Sequence, residues 1–153
     1  MSSLKIGDQA PDFKGVNQNG KEIKFSDFKG KNLILYFYPK DNTPGCTAEA
    51  CDLRDNYEMW LSKNYEVLGV SPDSEKSHQS FIEKHKLPFD LISDTDKQIL
   101  QLYGAWGEKS MFGKKYQGVL RKTFVINKNG KIEAIFEKVK TKEHSNQILN
   151  EKK

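Results

Sequence analysis

The stretch Leu33-Ile34-Leu35-Tyr36-Phe37-Tyr38-Pro39-Lys40-Asp41-Asn42-Thr43-Pro44-Gly45-Cys46 decides how the rest of the chain is read. Its opening residues, Leu33 to Tyr38, form an unbroken apolar run, the pattern of a strand buried on both faces. Pro39 ends the run, because proline cannot donate to a sheet ladder. Thr43-Pro44 then has the form of a helix N-cap followed by a first helical residue. Ala50, Leu53, Tyr57, Trp60 and Leu61 recur at helical spacing up to Lys63-Asn64, and Tyr65 to Val70 is a second buried strand. Leu33 to Val70 therefore predicts a strand, a helix and a strand, with the two strands parallel because a helix crosses between them.

Before this unit, Phe13 to Val16 and Ile23 to Phe25 flank Asn19-Gly20 and predict an N-terminal hairpin. After it, Ser74 to His85 predicts a helix, Phe89 to Ile92 a short strand and Lys97 to Tyr103 a short helix. Gly104 to Gly118 contains four glycines and no clear period, and is expected to be a loop. Thr123 to Ile126 and Ile132 to Phe136 flank Asn129-Gly130 as a second hairpin, and Glu143 to Leu149 predicts a closing helix. This order predicts an α/β fold of the thioredoxin-like type, a mixed central sheet with helices on both faces and an N-terminal β-hairpin. No repeat or linker interrupts it, so one domain over residues 1–153 is expected.

Composition excludes several classes. With 36% hydrophobic and 30% charged residues the chain is too apolar for disorder and too polar for a membrane protein. Met1 to Gln9 has neither an apolar signal core nor an arginine-rich amphipathic run, so a cytoplasmic location is expected. Net charge is +4, but the 25 basic and 21 acidic residues are interspersed. The densest basic stretch, Lys109 through Lys114 and Lys115 to Arg121 and Lys122, reads as a solvated loop, and neither a nucleic-acid nor a membrane partner is expected. Two cysteines are too few for an all-thiolate zinc site, and no metal or organic cofactor is expected. His78, His85 and His144 are scattered among charged residues and receive no role.

In open α/β sheets, sites form at the carboxyl ends of the parallel strands, which here is Pro39 to Cys46. With Thr43 as N-cap, Cys46 is the third helical residue, inside the turn where unpaired N–H groups and the helix dipole favour negative charge. A thiol of ordinary pKa, about 8.5, is only ~3% thiolate at pH 7. Bringing a thiol to about 6 requires roughly 3.4 kcal/mol, whereas a helix end contributes about 0.3–1 kcal/mol. A cation is needed. Arg121 immediately precedes a strand expected to run antiparallel to Leu33–Tyr38, which would set it beside Cys46. Position alone leaves a surface arginine equally open.

Thr43 reads as a helix cap whose hydroxyl could also bond a bound oxygen, and Pro39 as a strand terminator that could shield the sulfur. Cys51 follows five positions after Cys46. Ideal helix geometry sets their α-carbons about 8.6 Å apart, beyond the roughly 7 Å limit for a disulfide, so the pair cannot bridge while the helix is intact. Spacing alone leaves open whether they are a redox couple or two unrelated cysteines.

Pro39 to Cys46 resembles the Pro-x-x-x-Thr-x-x-Cys motif of the peroxiredoxins. The longer run to Cys51 is similar to the bacterioferritin comigratory protein, or peroxiredoxin Q, subfamily. The similarity extends to Ala10-Pro11-Asp12-Phe13, Gly69-Val70-Ser71, Tyr103 to Lys109 and Arg121 to Ile126. It implies a thiol peroxidase acting on hydrogen peroxide and organic hydroperoxides. Cys46 would be the peroxidatic cysteine, Thr43 and Arg121 would organise peroxide and thiolate, Pro39 would shield the sulfur, and Glu49 sits where many members carry a site glutamate. Cys51 matches the resolving cysteine of members with both thiols on one helix; thioredoxin or a similar dithiol protein would recycle a monomeric enzyme. Leu120 and Asn127 depart from the pattern and are expected to leave the chemistry alone. A thioredoxin-type reductase is disfavoured, because Thr43 stands where Cys-x-x-Cys needs its first thiol. A non-enzymatic redox sensor or holdase is the competing reading.

Overall fold

In the computed structural model, which describes residues 4–151, the apolar run becomes the middle strand of a five-stranded sheet. The strands in chain order are β1 (Lys14–Val16), β2 (Glu22–Lys24), β3 (Asn32–Phe37), β4 (Tyr65–Ser71), β5 (Leu91–Ser93), β6 (Trp106–Met111), β7 (Lys114–Val119), β8 (Lys122–Ile126) and β9 (Ile132–Phe136). The helices are α1 (Pro44–Asp55), α2 (Tyr57–Ser62), α3 (Glu75–His85), α4 (Gln98–Leu102) and α5 (His144–Glu151). The central sheet has the order β5-β4-β3-β8-β9. β3 runs parallel to β4 and antiparallel to β8, with Phe37 opposite Lys122. This is the expected mixed sheet, and β1 with β2 forms the N-terminal hairpin.

Alternation along β3 explains why its sequence is apolar throughout. Leu33, Leu35 and Phe37 join Leu68, Phe124 and Ile126 on one face, with Ile99 and Leu100 of α4 packed against them. Ile34, Tyr36 and Tyr38 point the other way, into a cluster with Ala50 and Leu53 of α1, Trp60 of α2, Phe81 of α3 and Ile148 of α5. A strand with helices on both sides has no wet face on which to place a polar residue.

The structure departs from the sequence expectation in two elements. The long helix after Thr43 is interrupted at Asn56, whose side-chain amide donates to the Asp52 carbonyl at 2.8 Å and competes with the backbone ladder. The stretch expected as a loop, Gly104 to Gly118, is mostly the β6–β7 hairpin, turned at Phe112-Gly113 with φ +53 and +79. Its strands are exposed over most of their length, so no alternation of apolar and polar residues marked them. Among the described residues, no helix is long and apolar enough to cross a membrane.

Candidate active site

Parallel pairing with β4 aims the end of β3 at the first turn of α1, and antiparallel pairing with β8 brings Arg121 to the same point. Pro39 and Thr43, both partly buried, bound the connecting loop. Cys46 occupies the third position of α1 and is 1% exposed. Arg121 Nη2 donates to its Sγ at 3.3 Å, and Nη1 donates to Glu49 Oε1 at 2.7 Å. Glu49 lies one turn after Cys46 on the same helical face, which lets one planar guanidinium reach both. Gly45 leaves the room this requires, since a Cβ there would stand 3.2 Å from Arg121 Nη2.

Thr43 has the extended backbone of an N-cap, but its side chain does not cap the helix. Its hydroxyl donates instead to the Lys40 carbonyl at 2.8 Å, correcting the expectation of a side-chain cap. The first helical bond runs from Thr47 N to Thr43 O, so the Gly45 and Cys46 N–H groups stand ahead of the ladder, near the sulfur.

Behind the sulfur the surroundings are dry. Burial pushes the Glu49 carboxyl up to about 7, against the opposing pull of Arg121. Burial also pushes His144 down to about 4. Gln147 Oε1, which takes the Lys140 N–H, accepts from His144 Nδ1 at 2.9 Å. That leaves His144 Nε2 to accept from the Thr123 hydroxyl at 2.8 Å. Glu49 Oε2 has no hydrogen-bond partner and lies 3.5 Å from the same nitrogen. Burial works against the Arg121 charge, yet Glu49 and Cys46 outweigh it and raise its pKa further.

A second network ties the loop to α3. The Asp41 carboxylate accepts from the Tyr38 hydroxyl at 2.6 Å, from Ser77 Oγ at 2.8 Å and from His78 Nδ1 at 2.7 Å. His78 Nε2 lies 3.0 Å from the Ile92 carbonyl, so both ring nitrogens have a polar partner. Asp73 anchors the loop again by accepting from Asp41 N at 2.8 Å.

Cys51 lies on the side of α1 that faces α3, with its Sγ 3.8 Å from His85 Nδ1. Both cysteines are free thiols, and α1 is helical through both. The histidines given no role in the sequence thus all make side-chain contacts at or near the site, and His78 and His144 are fully buried. Their partners Asp41, Glu49 and Thr123 are 37, 95 and 21 positions away respectively, and no local spacing reveals such pairs. In the basic stretch, Lys122 pairs with Glu137 at 3.4 Å and Arg121 turns inward, so those charges are not one exposed patch.

Residues 6–135 match the AhpC/TSA family. The chain is 45% identical to Peroxiredoxin Bcp of Bacillus subtilis over 147 residues, 96% of this chain and 94% of that one. It is also 45% identical to Peroxiredoxin Bcp of Escherichia coli K12 over 150 residues, 98% of this chain and 96% of that one. A cysteine-to-serine mutant of Xylella fastidiosa PrxQ superposes with a TM-score of 0.91 at 34% identity, covering 99% of this chain and 96% of that one. A structure of Xanthomonas campestris bacterioferritin comigratory protein, described for its alkyl peroxide reduction activity, superposes with a TM-score of 0.85 at 33% identity, covering 91% and 88%.

Proposed function

This chain belongs to the AhpC/TSA family and is a peroxiredoxin, a thiol-dependent peroxidase, and from that premise we propose that Cys46 is the attacking sulfur and Cys51 the thiol that resolves it. The observation that carries the reading is the 3.3 Å bond from Arg121 Nη2 to Cys46 Sγ, with the arginine held from behind by Glu49. A charge-assisted bond of this kind contributes roughly 1.5–3 kcal/mol and favours the sulfur as an anion.

The Cys46 thiolate attacks the terminal oxygen of a hydroperoxide along the O–O axis. A sulfur–oxygen bond forms as the O–O bond breaks, and the leaving oxygen takes a proton and departs as water or an alcohol. Arg121 and the N–H groups of the first turn of α1 hold the negative charge that moves from sulfur to the leaving oxygen. The Thr43 hydroxyl gives its hydrogen to Lys40 O, which leaves its lone pairs to accept the hydroperoxide O–H. Pro39 and the buried wall around the sulfur keep bulk water out. Hydrogen peroxide and organic hydroperoxides both fit this chemistry, and the alkyl peroxide activity named for the Xanthomonas relative supports the second.

The product, a Cys46 sulfenic acid, then condenses with Cys51 to a disulfide and water. Thioredoxin or a similar dithiol protein reduces it, a cycle suited to the cytoplasm. The test is intact mass after one equivalent of peroxide. An internal disulfide removes two hydrogens, whereas an adduct of oxygen alone with no later loss would overturn the resolving role. Cys46→Ser is expected to abolish turnover. Cys51→Ser is expected to consume one peroxide and then accumulate overoxidised Cys46. A redox sensor would react once, so sustained peroxide consumption with a thioredoxin system excludes that reading.

A further inference from the structure

Cys51 has a partner that the peroxide chemistry at Cys46 does not use. Its Sγ is 3.8 Å from His85 Nδ1 across the contact between α1 and α3, with both residues partly buried. Two contacts hold the histidine in place. Its ring meets Phe81 edge to face at 5.2 Å between centroids, and its backbone carbonyl accepts from Arg54 Nη1 at 2.7 Å. Cys51 and Arg54 face the ring from α1, and Phe81 and Lys84 from α3 itself. Burial first, and then the Lys84 and Arg54 charges, push the His85 imidazole below its ordinary value. At neutral pH a ring protonated on Nε2 therefore offers its Nδ1 lone pair to the thiol hydrogen.

We propose that His85 is the proton acceptor for Cys51 in the step that joins the two sulfurs, an inference that rests on the reading of Cys51 as the resolving thiol. His85 Nδ1 takes the Sγ proton, and the freed electron pair attacks the Cys46 sulfenic sulfur. The S–S bond forms as the S–O bond breaks, and the departing hydroxide takes the proton back from the imidazolium to leave as water. The peroxide has already supplied the oxidation, so no other oxidant enters. Arg54 lies close enough for its charge to couple to the Cys51 sulfur, and so favours the transient thiolate. The Arg54 bond to His85 also fastens this part of α1 to α3. Unwinding then falls on the turns before Cys51 and carries Cys46 toward a thiol already facing its base.

The test mixes reduced protein with one equivalent of hydrogen peroxide and quenches it at intervals from pH 6 to 9. Disulfide is read by intact mass, and sulfenic acid by its dimedone adduct. His85→Gln is expected to form the disulfide roughly ten-fold more slowly or worse at pH 7, with the adduct accumulating. The gap should narrow as pH rises toward about 9, where hydroxide in solution takes over the removal of the proton. His85→Ala should regain rate with added imidazole, a rescue that a purely structural role would not give. Equal disulfide rates and pH profiles in parent and His85→Gln would overturn the role of His85 while leaving Cys51 in place. A parent that forms no internal disulfide would overturn the resolving role of Cys51, and the His85 proposal with it.

Discussion

Arg121 and Glu49 are joined by a 2.7 Å ion pair whose carboxylate is entirely buried, directly behind the Cys46 sulfur. A buried carboxylate needs that partner, and the partner's second nitrogen is thereby turned toward the thiol. The arginine is positioned by the glutamate as much as by its own strand.

Lysine cannot replace this arrangement, because one ammonium lacks the planar fork that reaches two acceptors. Arg121→Lys is expected to slow the reaction of Cys46 with peroxide by about ten- to a hundred-fold, equivalent to one charge-assisted hydrogen bond. Stopped-flow fluorescence under single-turnover conditions measures this. An unchanged rate would remove Arg121 from the chemistry.

Glu49 and His144 give stability opposite dependences on pH. The Glu49 pKa is raised from 4.5 to about 7, so the folded chain keeps a proton that the unfolded chain releases. Its contribution is full below about 4.5 and is lost as pH rises through 7. The His144 pKa is lowered from 6.5 to about 4, so its contribution is full above 6.5 and is lost as pH falls through 4. Between 4.5 and 6.5 the two slopes oppose each other. Glu49→Gln removes one of them, and its stability should fall below that of the parent as pH drops through this window, by up to about 3 kcal/mol. Urea midpoints at successive pH values test it, and parallel pH curves would refute the opposition.

Asp41 Oδ2 and His78 Nδ1 lie 2.7 Å apart, with side chains 1% and 0% exposed. Asp41→Ala leaves the imidazole facing a void and frees the Tyr38 and Ser77 hydroxyls. A loss of about 3–5 kcal/mol is expected from urea unfolding. The same variant should loosen the loop before α1, read as faster hydrogen exchange over residues 40–46. A loss under about 1 kcal/mol would mean that the network contributes no more than an exposed pair.

Disulfide formation must break α1, since ideal helix geometry sets the α-carbons of its two cysteines about 140° apart around the axis. Oxidation with one equivalent of peroxide should lower far-UV helicity and unprotect amides over residues 43–52, and thiol reduction should restore both. An oxidised protein with α1 intact and its sulfurs bonded would contradict the scheme.

Much of the frame was legible in the chain itself. The apolar run of β3, the Pro39 stop and the helical spacing after Thr43-Pro44 predict a buried parallel unit, because burial on both faces and proline geometry are local properties. The Asn129-Gly130 hairpin follows from the same kind of signal, whereas Arg121 was set opposite the end of β3 only through the expected thioredoxin-like sheet, with a surface position equally open. The β6–β7 hairpin was not legible, because strands wet over most of their length carry no alternation. The break at Asn56 was hidden too, since one side-chain hydrogen bond decides it.

By itself, then, the sequence determined the parallel unit of β3 and β4 and the position of Cys46 in a first helical turn, because apolar runs, helical spacing and the Thr43-Pro44 start are local signals. Only the tertiary structure decided which groups surround the thiols. Glu49 with Arg121 and His144, Asp41 with His78, and Cys51 with His85 are contacts across 34 to 95 positions, made when separate elements dock on the sheet. Proton positions and charge pairing depend on distances of a few ångströms inside a dry interior, and a one-dimensional pattern carries no record of them.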